Sequence, residues 1–483
     1  MTTNDIVEIK HKLLDYQIEH TMNLVRIINT NKTALDASDT GTGKTYSAVA
    51  ACRILKLRPI IICPKSIMSV WKRVCDYFDV KYYSIVNYEL IKRGKIYKSD
   101  KKIKADFITV KKDDKDKISY EFNFDKINNK INDKINDKIN DKINDKINDK
   151  IFIFDEVHKC SNIYSENGNL LIAAKKSNIP ILILSATIAD YPDKFKLFFY
   201  ILNFIDPSQV KDMSISYEKY IRVVEKWIER DQKPMVRIHN MLYPDRASRV
   251  RIDILGDAFP ETQITAIPYT LDKKRTQEIE IEYKKLAVEL DLIKNKKDKD
   301  NLNPLTLMLR SQQKIEILKI PTFIELANDF IHNRFSIVMF VNFTQTLKTL
   351  AEMLKTNSVI YGEQSYEDRM RIIEEFQENK SRIIICNIKA GGIGISLHDI
   401  YGGHPRVSII SPTWNSIELT QALGRIHRAG GKSKSLQRII YIADTVEERI
   451  AEKLKLKLKN INSINNGDLD LTNIDFKNIR EKI

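Results

Sequence analysis

Few of this chain's residues are of the kinds that staple or break a fold. Its 483 residues include five cysteines, 15 glycines, 13 prolines and three tryptophans. The cysteines (Cys52, Cys63, Cys75, Cys160 and Cys386) are odd in number and scattered, with no C-x-x-C pair. That argues against a disulfide framework and a zinc site, and for a reducing compartment. No apolar run approaches the roughly 20 residues needed to cross a bilayer, and the opening MTTNDIVEIKHK is polar. The expectation is a soluble, intracellular protein with no membrane partner. Acidic residues are in deficit, 64 Asp and Glu against 79 Lys and Arg, which leaves a net charge of +15. Such an excess suits a polyanionic partner, nucleic acid first. AT-rich coding, which enriches Lys, Ile and Asn together, produces the same excess with no partner.

What is present is organised around ASDTGTGKT, residues 37–45, between the apolar Thr33-Ala34-Leu35 and the helical pattern of Tyr46-Ser-Ala-Val-Ala-Ala-Cys52. This is the strand–loop–helix of a phosphate-binding loop. Gly41 and Gly43 let backbone N–H groups close on phosphate oxygens at the positive end of the next helix. Thr40 and Thr42 lie in the same turn. Lys44 is placed for the β- and γ-phosphates, and the Thr45 hydroxyl for Mg²⁺. The first glycine of G-x-x-x-x-G-K-[ST] is Ser38 here. Upstream, Leu13-Leu14-Asp15-Tyr16-Gln17 opens a helix running towards Ile28. A Gln17 amide can both donate to and accept from an adenine edge; taken alone, it reads as a surface glutamine.

Further strand ends follow. Pro59-Ile-Ile-Ile-Cys63 leads into Pro64-Lys65-Ser66, which can hold a nucleic-acid phosphate or simply cap a helix, with Trp71 just beyond. Ser84–Tyr88 reads as another strand end. Residues 92–150 break the pattern as an insertion, and from Asp125 to Lys150 the chain repeats Lys-Ile-Asn-Asp. A four-residue period drifts about 40° per repeat against 3.6 residues per turn, so its isoleucines form no single buried stripe. The segment reads as solvated or weakly helical. The fold resumes at Ile151-Phe-Ile-Phe154 and ends in Asp155-Glu156-Val157-His158. Adjacent carboxylates on an apolar strand end are costly unless a cation or a reaction uses them; Asp155 can hold Mg²⁺ and Glu156 can polarise an attacking water. Ile181–Leu184 then leads to Ser185-Ala186-Thr187.

Residues 188–320 read as mainly helical, and Arg246–Arg251 (RASRVR) as a solvated helix face. A second α/β run follows: strands at 335–341, 383–386 and 407–411, a helix through Leu347, Leu350 and Leu354, and Trp414. Arg425 and Arg428 fall three apart on one expected helical face, suited to stabilising charge across a cleft. From about Lys457 the chain is expected to fray. The expected organisation is α/β, with two parallel-sheet domains (1–205, carrying the insertion, and 321–455), a helical region at 206–320 between them, and a basic Asn-rich tail at 456–483.

The stretches LLDYQ, ASDTGTGKT, ICPKSIMSVW, DEVHKCSN, LSATIADYPDKFKLFFYILNFIDP, VMFVNFTQTLKTL, AGGIGISL, SPTWNSIELTQALGRIHRAGG and YIADTVEERI occur in this order. The chain thereby resembles the superfamily-two DExH helicases and translocases, above all the Swi/Snf-type DNA-translocating ATPases and related nucleoside triphosphatases of large DNA viruses. It departs from that subgroup in SAT, where GT is usual, and in SDTGTGKT, where an acidic DEMGLGKT-like form is usual. The resemblance implies an ATP- and Mg²⁺-dependent motor on nucleic acid, double-stranded DNA first, whose viral setting would be the host cytoplasm, a viral factory or the virion. It implies that both parallel-sheet domains are RecA-like, with adenine reading by Gln17, phosphate and Mg²⁺ binding by Lys44 and Thr45, metal and water served by Asp155 and Glu156, and a nucleotide-side role for Gly392 and Gly394. Lys65, Ser66, Ser185, Thr187 and Trp414 would couple the cleft to nucleic acid, and Arg425 and Arg428 would contact the γ-phosphate. An RNA helicase and a non-motor, ATP-gated nucleic-acid clamp are the alternatives.

Overall fold

Short apolar runs with no polar alternation belong in parallel sheets covered on both faces, and five of them build the first sheet. In a computed structural model, which describes residues 8–9, 11–98, 101–112, 118–124, 149–204, 217–256, 259–295, 304–391, 395–413, 415–443, 446–466 and 474–476, the chain divides into two compact units. One comprises 1–254 with 460–470, the other 255–459 with 471–483. The repeat at 125–148, Gly392, Gly394 and Trp414 lie outside the described residues.

The first unit's sheet has the order Ala247–Ser248, Thr33–Asp36, Ile181–Leu184, Lys150–Asp155, Arg58–Cys63, Ser84–Asn87, and every ladder is parallel. Alternate residues feed two cores: Leu35, Ile60, Ile62, Phe152, Phe154 and Ile183 on one face, Ala34, Ile61, Ile151, Ile153, Leu182 and Leu184 on the other. Because the strands are parallel, their C-terminal ends share one edge, where open α/β sheets hold ligands. Asp36 pairs with Leu184 and Leu184 with Asp155, so three motif-bearing strand ends stand level.

The second unit repeats the plan with seven parallel strands, ordered Val359–Ile360, Ile383–Asn387, Ser336–Val341, Arg406–Ile410, Ser435–Ile442, Thr262–Tyr269, Ile474–Phe476. The two RecA-like parallel sheets agree with the expected fold class. Long helices are present in 206–320, at Tyr217–Arg230 and Lys273–Asn295, but this stretch also lends a strand to each sheet. Thr262–Tyr269 is half-buried along most of its length, with only the adjacent Thr265 and Ala266 fully buried, so it shows neither an apolar run nor a clean alternation.

Two further expectations are corrected. The tail does not fray at Lys457: the helix Val446–Asn466 continues, and Ile461 and Ile464, one turn apart, are buried. Nor is the insertion solvated up to its repeat. Two antiparallel hairpins occupy it, Lys95–Lys98 with Lys101–Lys104 and Ile108–Lys112 with Ile118–Phe122. Phe107, Phe122 and Phe124 are buried, and Phe122 meets Phe152 of the central sheet edge-on at 4.7 Å between centroids. Phe107 and Phe124 stack at 5.4 Å. The second hairpin is therefore core, whereas Lys150 Nζ lies 5.8 Å from the Phe124 ring, so the two ends of the repeat are close. Replacing 125–148 with a short Gly/Ser linker is expected to leave the melting temperature nearly unchanged. Phe122→Ala is expected to cost about 3–5 kcal/mol, as for other buried phenylalanines, measured by denaturant unfolding; a neutral Phe122→Ala would show that the hairpin is not part of the core.

Candidate nucleotide site

The phosphate loop leaves Thr33–Asp36 and enters the helix Lys44–Leu55, with Gly43 at its cap. Gly41 and Gly43 have φ of 89° and 87°, a region that favours glycine, and Ser38 is not among the positive-φ residues, so its position does not require one. A Cβ on Gly43 would meet Gln17 Nε2 at 2.3 Å. Gln17 is buried: its Nε2 donates to Thr42 O at 2.9 Å and its Oε1 accepts from Leu14 N at 3.0 Å. The surface reading of Gln17 is thus overturned, and both halves of its amide are engaged inside the protein. Lys44 Nζ donates to Ser38 O and Asp39 O at 2.9 and 3.1 Å, folded back along its own loop. Thr40 and Thr45 sit in the loop and the first helical turn, and Thr42 Oγ1 donates to Asp39 O at 2.8 Å.

Level with this loop, Asp155 ends its strand buried. Trp71 Nε1 donates to Asp155 Oδ2 at 2.9 Å, Glu156 N to Oδ1 at 2.8 Å, and Tyr88 Oη to the Asp155 carbonyl at 2.8 Å. Burial first, then the charge of Glu156, pushes the Asp155 carboxyl up to about 7, partly offset by Trp71 and Lys44. Glu156 takes the left-handed conformation at φ 54°. Its Oε2 lies 3.3 Å from His158 Nδ1, which lies 3.2 Å from Ser185 Oγ. Burial pushes His158 down to about 4, so the ring is neutral near pH 7, and Glu156 and Ser185 both face its Nδ1. Ser185 and Thr187 are buried, joined by Thr187 N to Ser185 Oγ at 3.2 Å. Lys65 and Ser66 open a short 3-10 turn after Arg58–Cys63, with Lys65 exposed. The strand ends thus gather Gln17, the loop, Asp155–His158 and Ser185–Thr187 in one unit.

Several supports escape sequence reasoning. RASRVR is not a solvated helix face: Ala247–Ser248 is the edge strand beside Thr33–Asp36. Arg249 Nη2 reaches Asp39 Oδ1 at 2.6 Å, Ile252 N donates to Asp39 Oδ2 at 3.0 Å, and Arg249 Nη1 donates to Asn465 O at 3.0 Å. Asn465 Nδ2 in turn donates to Ala186 O at 3.0 Å. Below the loop, His20 Nε2 lies 3.1 Å from the buried Asp36 Oδ2, with Ser248 Oγ 2.8 Å from His20 Nδ1. Burial would raise the Asp36 carboxyl, but His20, Lys44 and Ser38 together hold it below the usual range. Ser38 Oγ accepts from Val250 N at 2.9 Å and lies 3.2 Å from His20 Nε2, a use for a hydroxyl at this departure from the glycine pattern.

In the second unit the expected single helical face for Arg425 and Arg428 is not found. The helix Ser416–Leu423 ends at Gly424, and both arginines lie beyond it. They converge instead on the strand-end segment at 395–396: Arg425 Nη1 donates to Ile395 O at 3.2 Å and Arg428 Nη1 to Ser396 Oγ at 2.8 Å. Arg425 is buried and Arg428 half-buried; burial first, then Arg425, lowers the Arg428 pKa.

Comparison with known proteins bears on what these units do. Residues 10–190 match the type III restriction enzyme res subunit, and 318–430 match the helicase conserved C-terminal domain. A mimivirus protein (Acanthamoeba polyphaga mimivirus), described as "Putative ATP-dependent RNA helicase L364", is 36% identical over 96% of this chain and 85% of its own length. The chain belongs to the superfamily-two ATP-dependent helicases. The helicase is an ATP-hydrolysing enzyme. It is also similar to the DNA repair protein RAD5B of Arabidopsis thaliana, 35% identical over 19% of this chain and 7% of that one. A Sulfolobus solfataricus SWI2/SNF2 ATPase core in complex with dsDNA aligns over 94% of this helicase and 93% of its own chain, at 17% identity and a TM-score of 0.34. Among the described residues of the helicase, no helix is long and apolar enough to cross a membrane.

Proposed function

We propose that this helicase is a motor that couples ATP hydrolysis to movement along duplex DNA. The observation that carries the reading is that Glu156, the proposed water-polarising carboxylate, and Ser185 of the third strand-end motif meet at one nitrogen, His158 Nδ1, at 3.3 and 3.2 Å. A simple nucleotidase has no use for such a link; a motor must pass the state of the nucleotide to its track. Gln17 is the candidate adenine reader, in exchange for its bond to Thr42. Lys44 is the phosphate-binding cation, and Ser185 with Thr187 the relay towards Lys65 and Ser66.

Thr45 and Asp155 would hold Mg²⁺, which would neutralise charge on the phosphates. Mg²⁺ typically takes one or two carboxylates beside phosphate and water, and the Asp155 strand end stands level with the strand that leads into the Thr45 loop. A buried Asp155 carboxyl held up by Glu156 is a group that a cation would relieve.

Duplex DNA is favoured by SPTWN…QALGRIHRAG and by the repair role printed for RAD5B. An RNA track is the second reading, favoured by DEVH, SAT and the name of the mimivirus relative. A panel of duplex and single-stranded DNA and RNA in a steady-state ATPase assay separates them. The expected result is strongest stimulation by duplex DNA. Stimulation by RNA alone would move the assignment to an RNA helicase, and turnover indifferent to every nucleic acid would end the motor reading.

A further inference from the structure

Between Lys92 and Lys112 the chain carries nine lysines and arginines against two aspartates. Five of the lysines fall on the first hairpin of the insertion, strands Lys95–Lys98 and Lys101–Lys104. The register sets Lys95 opposite Lys104, Ile96 opposite Ile103, Tyr97 opposite Lys102 and Lys98 opposite Lys101. Like charges directly opposed across an antiparallel pair destabilise it, and two of these four cross-strand pairs are lysine on lysine. All five lysines are exposed, and among the described residues none of them forms an ion pair. Of the carboxylates nearby, Glu89 and Glu166 pair with Lys92 and Glu121 with Lys111, while the exposed Asp106 forms no ion pair with the five lysines among the described residues.

The hairpin is nevertheless anchored. Ala105 N donates to Gly94 O at 2.8 Å across its base, and Ile96 and Tyr97 pack on the first unit's core. The chain enters it from the C-terminal end of Ser84–Asn87, through the short helix Tyr88–Ile91. Lysines also blunt the exposed edges of sheets, but that purpose gains nothing from setting them against each other in register. Uncompensated repulsion on a fixed support is what a polyanion relieves. By alternation Lys95, Lys102 and Lys104 share one face. The two lysine pairs stand three residues apart along the strands, roughly 10 Å at about 3.4 Å per residue.

We propose that this hairpin is a grip for the phosphate backbone of a double-stranded nucleic acid, additional to the motif residues and specific to the insertion of this chain. It takes its ligand class from the motor reading above. Phosphate contacts position a protein without reading sequence, so the grip adds affinity and salt dependence and no base preference.

The test compares the wild type with two full-length variants, one carrying Lys95→Gln, Lys98→Gln, Lys101→Gln, Lys102→Gln and Lys104→Gln, the other arginine at the same five positions. Binding to labelled duplex DNA and duplex RNA is titrated over a range of salt, and ATPase is measured with and without duplex. Loss of about three phosphate contacts should make the log–log salt slope shallower by about 2–3 and weaken binding at least about tenfold in the glutamine variant. Its turnover without nucleic acid should stay at the wild-type level, and the arginine variant should bind as the wild type does. A glutamine variant with the wild-type slope and affinity on both duplexes overturns the grip and leaves the motor reading intact. An arginine variant that fails alongside it overturns the grip too, since charge is then not what the hairpin supplies. If the wild type binds duplex with a slope that the glutamine variant loses, yet gains no turnover from it, the grip stands and the motor reading falls.

Discussion

Glu156→Gln is expected to bind ATP as the wild type does and to lose about 10²–10⁴-fold in turnover, the usual contribution of a positioned general base. That corresponds to about 3–5 kcal/mol of barrier. The amide keeps the size of the carboxylate and can still hydrogen-bond His158, which lies 3.3 Å from Glu156 Oε2, so the loop geometry should survive. What goes is the charge that polarises water. Lys44→Ala should behave differently, losing hydrolysis and weakening ATP binding together. In the proposed reading Lys44 would supply charge to phosphate in the ground state and the transition state alike, whereas Glu156 would act on the water. Equilibrium ATP binding beside single-turnover hydrolysis tells the two apart. A Glu156→Gln protein that hydrolyses ATP at the wild-type rate would remove Glu156 from the reaction.

Arg428→Ala is expected to lose at least about 10²-fold in nucleic-acid-stimulated turnover with much less change in ATP affinity. Arginines that stabilise a transferring phosphoryl group are worth about 10³–10⁵ in rate elsewhere. Arg428 belongs to the second unit, so it affects hydrolysis only if that unit supplies charge to the reaction. Its surroundings suit the task. Nε donates to Gly424 O at 3.0 Å and Nη1 to Ser396 Oγ at 2.8 Å, and a guanidinium has five N–H donors, so some remain for phosphoryl oxygens. Burial first, then the neighbouring Arg425, lowers its affinity for its own proton, and a bound anion would offset both. Lysine at 428 should rescue only in part, because it lacks the planar fork that grips two oxygens. Binding of nucleic acid without ATP should be unchanged. Normal stimulated turnover in Arg428→Ala would exclude the second unit's arginines from the chemistry, and the motor reading would fail with them.

The elements legible in the sequence are those whose cause is local. Ile151–Phe154 and Ile181–Leu184 read as strands because a strand buried on both faces is an unbroken apolar run. The loop at 37–45 reads as a phosphate cradle because Gly41 and Gly43 must take positive φ within a few residues of Lys44. A local rule misleads where it runs past a stop signal. The helical pattern carries Arg425 and Arg428 onto a helix that Gly424 ends. The Lys and Asn content of the tail predicts fraying, while Ile461 and Ile464 are buried.

By itself, then, the sequence determined the family, the two α/β repeats and the identity of the groups that can meet a nucleotide, since each rests on residues close together in the chain. Tertiary structure alone decided what holds those groups in place. Arg249 serves Asp39 from 210 residues away, Ser248 serves His20 from 228, and Trp71 serves Asp155 from 84. A buried polar group must find a partner or bear the cost of desolvation, but nothing requires that partner to be near in sequence. Only the folded chain shows which arginine is solvated and which one braces the loop.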